Sequence, residues 1–455
     1  MKSRISCFDT ATFKKDITRF LPLWVLYALL TFLIASSANS GWSHPVITLG
    51  TTISGFAFVN LIYGALSSQL LFGELFNSRL CNALHAMPVT REARFGSHVC
   101  AGLLFSFVPN LVVSLLIAPS FDHLWWVSFL WLAAICLQYL FFFGVGVLSV
   151  MCTGSRFAMV VVYLIVNFLP IVVWWFVGTI FIPMMPGVLM DGDIFAEICP
   201  AAQFISASNQ YYFEIAYDGL WYRDHNSMDA AFLGFGDGWL YLFIAAGVGV
   251  AMIGLALLLY RRRKLECAGD FIAVQWIRPI FLVLYTLCGG VFLSIFDGLF
   301  GNLDHIIFLA IGIIIGFFTG KMLLERTIRV FRKKTFLQFA AFVLAIGISL
   351  WGVSADVLGI VRYVPKSEDV EYVEIHGGNI SRHKLTEQED IELVQQIHSY
   401  AIENLDHEDD YFCSGSHQYF RMEYHLKNGR IVTRYYHICV YSAAGDLLDE
   451  FSGKN

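Results

Sequence analysis

The residue patterns that carry out catalysis or hold a nucleotide are incomplete in this sequence. The nearest approach to the phosphate-binding loop G-x-x-x-x-G-K-[ST] ends in FFTGKM, where Ile315 stands in place of the first glycine and Met322 follows the lysine. The motifs H-E-x-x-H, G-x-S-x-G and C-x-x-C do not occur. We therefore expect no enzymatic activity, no catalytic residue and no bound cofactor in this chain.

Histidines and cysteines near the C-terminus offer the other possible chemistry. Five of the histidines in this part lack the spacing of metal ligands, which favours exposed polar residues over a metal site: His398, His407, His417, His425 and His437. Cys413 and Cys439 would form a disulfide in an extracytoplasmic domain or remain free thiols, and the sequence leaves both possibilities open.

The composition identifies the elements that must position any site. Of 455 residues, 57% are apolar and only 15% are charged, and the mean hydropathy is +0.62. A soluble protein carries about 25% charged residues, so a soluble fold and a disordered chain are both excluded. Nine segments are long and apolar enough to cross a bilayer: Phe20–Ala38, Ile53–Phe72, Cys100–Ala118, Leu124–Met151, Phe157–Pro183, Trp239–Tyr260, Ile280–Phe300, Ile306–Leu323 and Phe336–Leu358.

The distribution of lysine and arginine predicts how these segments are oriented. The N-terminus and the connections on its side carry 20 basic residues, whereas the opposite connections carry one, Arg223. Because basic residues are retained in the cytoplasm, the N-terminus is expected inside. Nine spans then place the C-terminal domain outside the cell, in a multi-pass protein of the plasma membrane.

The connections between the spans differ in character. Residues 1–19 are expected to form a cytoplasmic interfacial helix with Phe13, Ile17 and Phe20 in the lipid, although this helix would also fit as an extension of the first span. The outer loop 184–237 is apolar enough to form helices that dip into the outer leaflet.

Residues 74–94 form the most informative connection. Leu75, Leu80, Leu84 and Met87 fall close to one helical face, and Pro88 must end that helix. Thr90 then opens the next helix. The result is a short helix along the membrane surface followed by a rigid corner, which suits contact with a cytoplasmic motor and suits an ordinary connecting loop equally well.

Polar and small residues inside the spans have two interpretations each. Asn60, Asn110 and Gln138 either bond to a neighbouring helix, which we favour, or line a substrate path. Gly312, Gly316 and Gly320 repeat every four residues, which predicts close helix packing within the chain or between two chains.

The pattern changes to that of a small α+β domain over residues 359–455. Thr386 and Glu389 make a capping box for a helix, and alternating apolar residues on both sides of Asn428–Gly429 predict a hairpin with a two-residue turn. This part holds 17 acidic and 9 basic residues from Val357 onward.

Three segments of the sequence resemble the ABC-2 type permeases, the membrane-spanning subunits of ABC transporters, in particular those of Gram-positive bacteria. They are FKKDITRFLPLW before the first span, NALHAMPVTREARF between the second and third, and YRRRKLECAGDFIA after the sixth. The resemblance covers about residues 1–270 and implies a six-span core over 20–260. Residues 261–358 comprise a basic segment and three further spans, and it is these three spans and the outer domain that depart from the resemblance.

The resemblance also implies partners and a role for the third connection. It implies a separately encoded ABC ATPase subunit that binds the ATP, a second permease subunit (identical or different), a lipid bilayer, and no nucleic acid. The coupling helix would lie within 74–94. Its functional residues would be Glu74, Arg79, Leu80, Leu84, Met87, Pro88, Arg91 and Glu92.

The sequence therefore predicts an all-α polytopic membrane protein of about nine transmembrane helices with a small α+β extracytoplasmic C-terminal domain. The function expected from the resemblance is export of a substrate driven by the partner ATPase. The alternative is a non-transporting membrane sensor that binds a ligand through its outer domain. An ATPase gene beside this one would favour the transporter.

Overall fold

The structure is a computed structural model of the whole chain. It describes residues 8–36, 45–87, 89–119, 125–188, 199–206, 213–216, 231–236, 238–263, 267–295, 305–377, 380–403 and 417–439. Contacts divide the chain into two compact units, residues 1–172 with 193–330 and residues 173–192 with 331–455.

Helices make up most of the described chain, and the long ones follow the predicted apolar segments. In the described ranges they are α1 Thr10–Arg19, α2 Leu21–Ser36, α3 Pro45–Leu71, α4 Ser78–His85, α5 Arg91–Ile117, α6 Val127–Cys152, α7 Arg156–Ile180, α8 Pro200–Ser206, α9 Gly238–Arg262, α10 Ile277–Ser294, α11 His305–Glu325, α12 Lys333–Ser354 and α13 Gln388–Glu403. Within the described residues, eight helices are long and apolar enough to span a membrane, or nine if α1 and α2, which meet at a 55° bend, make one span. This is compatible with a multi-pass membrane protein.

The first helix differs from its expected role as a lipid-facing element. Asp9 caps α1, its carboxylate accepting the Ala11 and Thr12 backbone N–H groups. Phe13 and Ile17 are only partly exposed and pack against the protein core. Helix α1 also contacts α5. The apolar face of α1 is therefore directed to protein, because the neighbouring α5 offers a complementary surface.

Helix α6 lies at the centre of the first unit and contacts α3, α5 and α9. Trp131, Phe142 and Phe143 of α6 are fully buried. Gly144 of α6 and Gly249 of α9 face each other so closely that a Cβ on either would overlap the opposite backbone. The two helices therefore pack backbone to backbone, as small residues permit in membrane proteins.

Amides in the apolar segments bond between helices, as favoured from the sequence. Asn60 of α3 accepts the Tyr27 hydroxyl at 2.8 Å and donates to Gln138 Oε1 of α6 at 2.8 Å. Asn110 of α5 donates to the Tyr27 hydroxyl at 3.2 Å. These side chains join four helices in one hydrogen-bonded network.

The glycine repeat of α11 packs within the chain. Gly312 and Gly316 face Gly289 of α10, where a Cβ on Gly316 would lie 3.4 Å from the Gly289 Cα. Of the two predicted interpretations, packing inside one chain accounts for this stripe.

The predicted outer loop contains strands as well as helix. Residues 184–237 include α8 and an antiparallel pair, β1 Phe213–Ala216 and β2 Ala231–Phe235. The expectation of helices alone was wrong for this loop, because two of its segments pair with each other as strands and so satisfy their backbone groups. The remaining residues of the loop lie outside the described ranges.

The C-terminal unit contains a four-stranded antiparallel sheet, which confirms the small sheet predicted there. Its strands are β3 Val370–Gly377, β4 Ile380–Leu385, β5 His417–Leu426 and β6 Ile431–Cys439, in the order β4-β3-β5-β6. Helix α13 packs on one face through Ile391, Val394 and Ile397.

The hairpin between β5 and β6 has one more residue in its turn than expected. The Leu426 N–H donates to the Arg430 carbonyl oxygen at 2.9 Å, which leaves Lys427, Asn428 and Gly429 in the loop. Gly429 has a φ of 80°. A three-residue turn that ends on a left-handed glycine fits the twist of the strands as well as the predicted two-residue turn. Cys413 lies outside the described residues, so its pairing with Cys439 stays untested.

Candidate functional site

The segment between α3 and α5 forms two short helices rather than one. Gly73–Phe76 is a 3₁₀ turn, and α4 follows after Asn77. The Asn77 side-chain oxygen accepts the Arg79 N–H at 3.1 Å and so caps the start of α4. The break changes which side chains share a face.

Helix α4 is buried on one side and open on the other. Leu75 and Cys81 are buried in the core, whereas Leu80 is 42% exposed and Met87 is 51% exposed. Arg79 is also exposed. The predicted single apolar face of Leu75, Leu80, Leu84 and Met87 is thus divided, because Leu75 is buried whereas Leu80 and Met87 are exposed. The Leu84 side chain and Pro88 lie outside what the structure describes.

A buried ionic cluster holds the 3₁₀ turn in place. His98 of α5 has its Nδ1 2.6 Å from Asp16 Oδ2 of α1 and its Nε2 3.5 Å from Glu74 Oε1. Asp16 and His98 are almost fully buried, and Arg94, one turn before His98, is buried as well. We call Asp16, Glu74, Arg94 and His98 the ionic cluster.

The charges around Glu74 favour its ionised form. Burial raises the pKa of Glu74, but the adjacent His98 ring and the positive charge of Arg94 outweigh burial and hold this pKa below its ordinary value. A buried carboxylate is costly unless it is paired, so each acid needs its partners in place. The ionic cluster therefore fixes the relative positions of α1, the 3₁₀ turn and α5.

Arg91 joins the start of α5 to the end of α9. Its Nη1 donates to the carbonyl oxygens of Arg263 at 3.1 Å and Arg261 at 3.4 Å. Beside it, Glu92 pairs with Arg261 Nε at 3.0 Å. The last carbonyl groups of a helix lack partners within the helix and carry partial negative charge. A guanidinium donates the missing hydrogen bonds and balances this charge.

Arg263 repeats the same arrangement one step further. Its Nη1 donates to the carbonyl oxygens of Val150 and Met151 at the end of α6, at 2.8 and 3.1 Å, and its Nη2 donates to the Leu75 carbonyl at 3.3 Å. One guanidinium thereby binds the end of α6 to the 3₁₀ turn.

Backbone pairing strengthens this end of the first unit. The Gly154 N–H donates to the Asp270 carbonyl at 2.9 Å, and the Ala273 N–H donates to the Cys152 carbonyl at 2.9 Å. The Asp270 carboxylate lies 3.5 Å from Arg278 Nη2 and 3.7 Å from Arg326 Nη2. The short α4 helix is therefore attached to a part of the first unit that many polar contacts hold together.

The structure separates the predicted functional residues into two groups. Arg79, Leu80 and Met87 are exposed on or just after α4, whereas Glu74, Arg91 and Glu92 bind other parts of the same chain. Sequence reasoning missed Asp16, Arg94, His98 and Arg263. The signal that could have found Asp16 and His98 is the one acidic residue in the otherwise basic helix α1 and a histidine near the start of a long apolar helix.

Comparisons of the chain with models of known families, with curated proteins and with solved structures give no match.

Proposed function

We propose that this chain is the membrane-spanning permease subunit of an ABC transporter of the ABC-2 type, an exporter driven by a separately encoded ATPase. The observation that carries the proposal is the exposure of Leu80 on α4 and of Met87 just after it. Both lie close in sequence to the 3₁₀ turn, which buried charges hold in place. In this proposal the N-terminus is cytoplasmic and two permease subunits form the transport unit. ATP is bound by the partner.

The mechanical argument rests on rigidity. A motor that pushes on a flexible loop would move only that loop. Here the ionic cluster joins the 3₁₀ turn to α1 and α5, and Arg263 joins it to α6. A displacement of α4 is therefore transmitted to several long helices at once, as a two-state transporter requires.

The two groups of residues have separate roles under this proposal. Leu80, Met87 and Arg79 would contact the ATPase, because they are exposed. Arg91 and Glu92 would transmit the movement to α9 through its C-terminal carbonyl groups and Arg261.

The test is co-purification of tagged full-length chain with the ATPase encoded beside it, and measurement of the stimulated hydrolysis. Burial of a leucine contributes about 1.5–3 kcal/mol. Leu80→Asp should therefore weaken the pairing by at least about tenfold. Ile328→Asp is the matched control, because Ile328 is 78% exposed but lies in the connection after α11.

The contacts of Arg91 and Glu92 with the end of α9 are tested separately. The double variant Arg91→Gln with Glu92→Gln should retain pairing and lose most of the stimulated hydrolysis. If Leu80→Asp pairs normally and the double variant keeps both properties, the proposal is wrong. A gene neighbourhood without an ATPase would support a membrane sensor instead.

A further inference from the structure

One face of the C-terminal sheet carries acidic residues and a histidine in close register. On β3 and β5, Val373, Ile375, Met422 and Tyr424 point to the core beneath α13. Because side chains alternate along a strand, Glu374, Glu423 and His425 lie on the opposite face. Glu374 is paired directly with Glu423 across the ladder.

These three side chains approach one another closely. One ligand atom from each of Glu374, Glu423 and His425 lies within 4.8 Å of the other two, and all three residues are partly buried. The His425 Nε2 atom is closed off from solvent and has no hydrogen-bond partner in the described part of the chain. A buried ring nitrogen without a partner is unusual and calls for a ligand.

The neighbouring residues orient the histidine and partly balance the acids. The Tyr372 ring stacks on the His425 ring at a centroid distance of 4.1 Å and holds its plane. Arg421 Nη2 lies 2.6 Å from Glu423 Oε1, and Lys384 is the register partner of Glu374 on β4. Like charges directly opposite each other destabilise a sheet, so the Glu374–Glu423 pair needs positive charge.

We propose that Glu374, Glu423 and His425 bind a divalent transition-metal ion of the Zn²⁺ class. The mixed set of two carboxylates and one imidazole selects this class, because Ca²⁺ and Mg²⁺ take oxygen ligands almost exclusively. Zinc bonds of about 2.0–2.2 Å require the ligand atoms to be roughly 3–4 Å apart. From the present spacing, small side-chain rotations suffice.

Arg421 is the competitor of the metal ion in this arrangement. Its guanidinium pairs with the Glu423 carboxylate, so a metal ion that binds this carboxylate must displace it. Removal of the arginine charge should therefore tighten metal binding. A purely structural ion pair would give no such effect.

The test uses full-length protein in detergent, stripped with a chelator and titrated with Zn²⁺ by calorimetry. We expect a Zn²⁺ site that weakens at least tenfold in Glu374→Gln and in His425→Ala. Arg421→Gln should bind at least several-fold more tightly, and Ca²⁺ should not compete. The matched controls on β3 are Glu371→Gln and His376→Gln, whose side chains are exposed and outside the cluster.

Other histidines of the chain could also take up Zn²⁺, so the difference between wild type and variants decides the outcome. The proposal is overturned if wild-type protein binds no Zn²⁺, or if Glu374→Gln and His425→Ala bind it as wild type does. Circular dichroism of each metal-free variant checks its folding. Glu374→Gln keeps the size of the side chain and gives the decisive result if His425→Ala fails to fold.

Discussion

The His98 side chain connects three segments that are far apart in the sequence: α1, the 3₁₀ turn and α5. Asp16 and Glu74 contribute one carboxylate each, at 2.6 and 3.5 Å from its two nitrogen atoms. The partners of a buried charge matter more than the pair itself, because removal of one partner leaves the other charge uncompensated.

Replacement of His98 should therefore destabilise the protein strongly. We expect His98→Gln to lower the free energy of unfolding by about 3 kcal/mol, and Asp16→Asn added to it to cost much less than the sum of the single changes. Thermal unfolding in detergent measures both effects. Lys14→Gln on the exposed side of α1 is the control, and additive effects of the two changes would contradict the coupling.

The buried position of His398 predicts that the C-terminal domain is sensitive to acid. Its ring lies in the core, with Nδ1 3.2 Å from the Tyr424 hydroxyl and Nε2 3.1 Å from the Tyr436 hydroxyl. Burial, followed by the charge of Arg434, lowers the pKa of His398 to about 4. The unfolded chain, with a pKa of about 6.5, then binds a proton that the folded domain does not.

The stability of this domain should fall as the pH is lowered from about 6.5 towards 4. The proton binds the unfolded state preferentially in that window, so the expected loss reaches about 3 kcal/mol at its lower end. Hydrogen exchange of the α13 amides in the full chain, corrected for the intrinsic effect of pH, measures it. His398→Gln should show a flatter dependence, and an identical slope in both proteins would refute the assignment.

At the scale of elements, the helices of the first unit are positioned by close backbone contacts as much as by apolar surface. A Cβ on Gly249 would lie 2.6 Å from the Leu140 carbonyl oxygen of α6. Since protein interiors are close-packed, the two helices must separate to accommodate it.

Gly249→Ala should destabilise the protein by about 1–3 kcal/mol, despite the higher helix propensity of alanine. Gly254→Ala is the matched control on the same helix, because a Cβ there meets nothing within 4 Å. Unfolding followed by tryptophan fluorescence compares the two. Equal stability of both variants would mean that α6 and α9 tolerate separation at this point.

At the scale of the whole molecule, the charge distribution predicts the orientation. The four cations from Arg261 to Lys264 begin within the last turn of α9, and residues 357–455 carry an excess of acidic residues. Because basic segments are retained in the cytoplasm, we predict that these two parts lie on opposite sides of the membrane.

Reporter fusions test this orientation. Alkaline phosphatase fused after Asn455 should be active, and a green fluorescent protein fused after Arg263 should fluoresce. The exchanged fusions serve as controls and should be silent. Activity of the phosphatase at Arg263 but not at Asn455 would reverse the predicted topology.

Patterns within single segments allowed much of this architecture to be predicted. The apolar runs gave the positions of the long helices, Thr90 gave the start of α5, and alternation along FRMEYHL gave β5. These features depend on residues within a few positions of one another, which local hydrophobic periodicity and capping specify.

Other features were decided only by the tertiary structure. His98 and Asp16 are 82 positions apart, Arg263 and Leu75 are 188 apart, and Glu374 meets Glu423 only through strand register. No local pattern marks such partners, because the partner of a buried charge comes from whichever segment packs against it. The sequence by itself determined the elements and the expected sides of the membrane. Packing decided which polar groups became buried and which hydrogen bonds and ion pairs they form, because a buried polar group needs a partner in place of water.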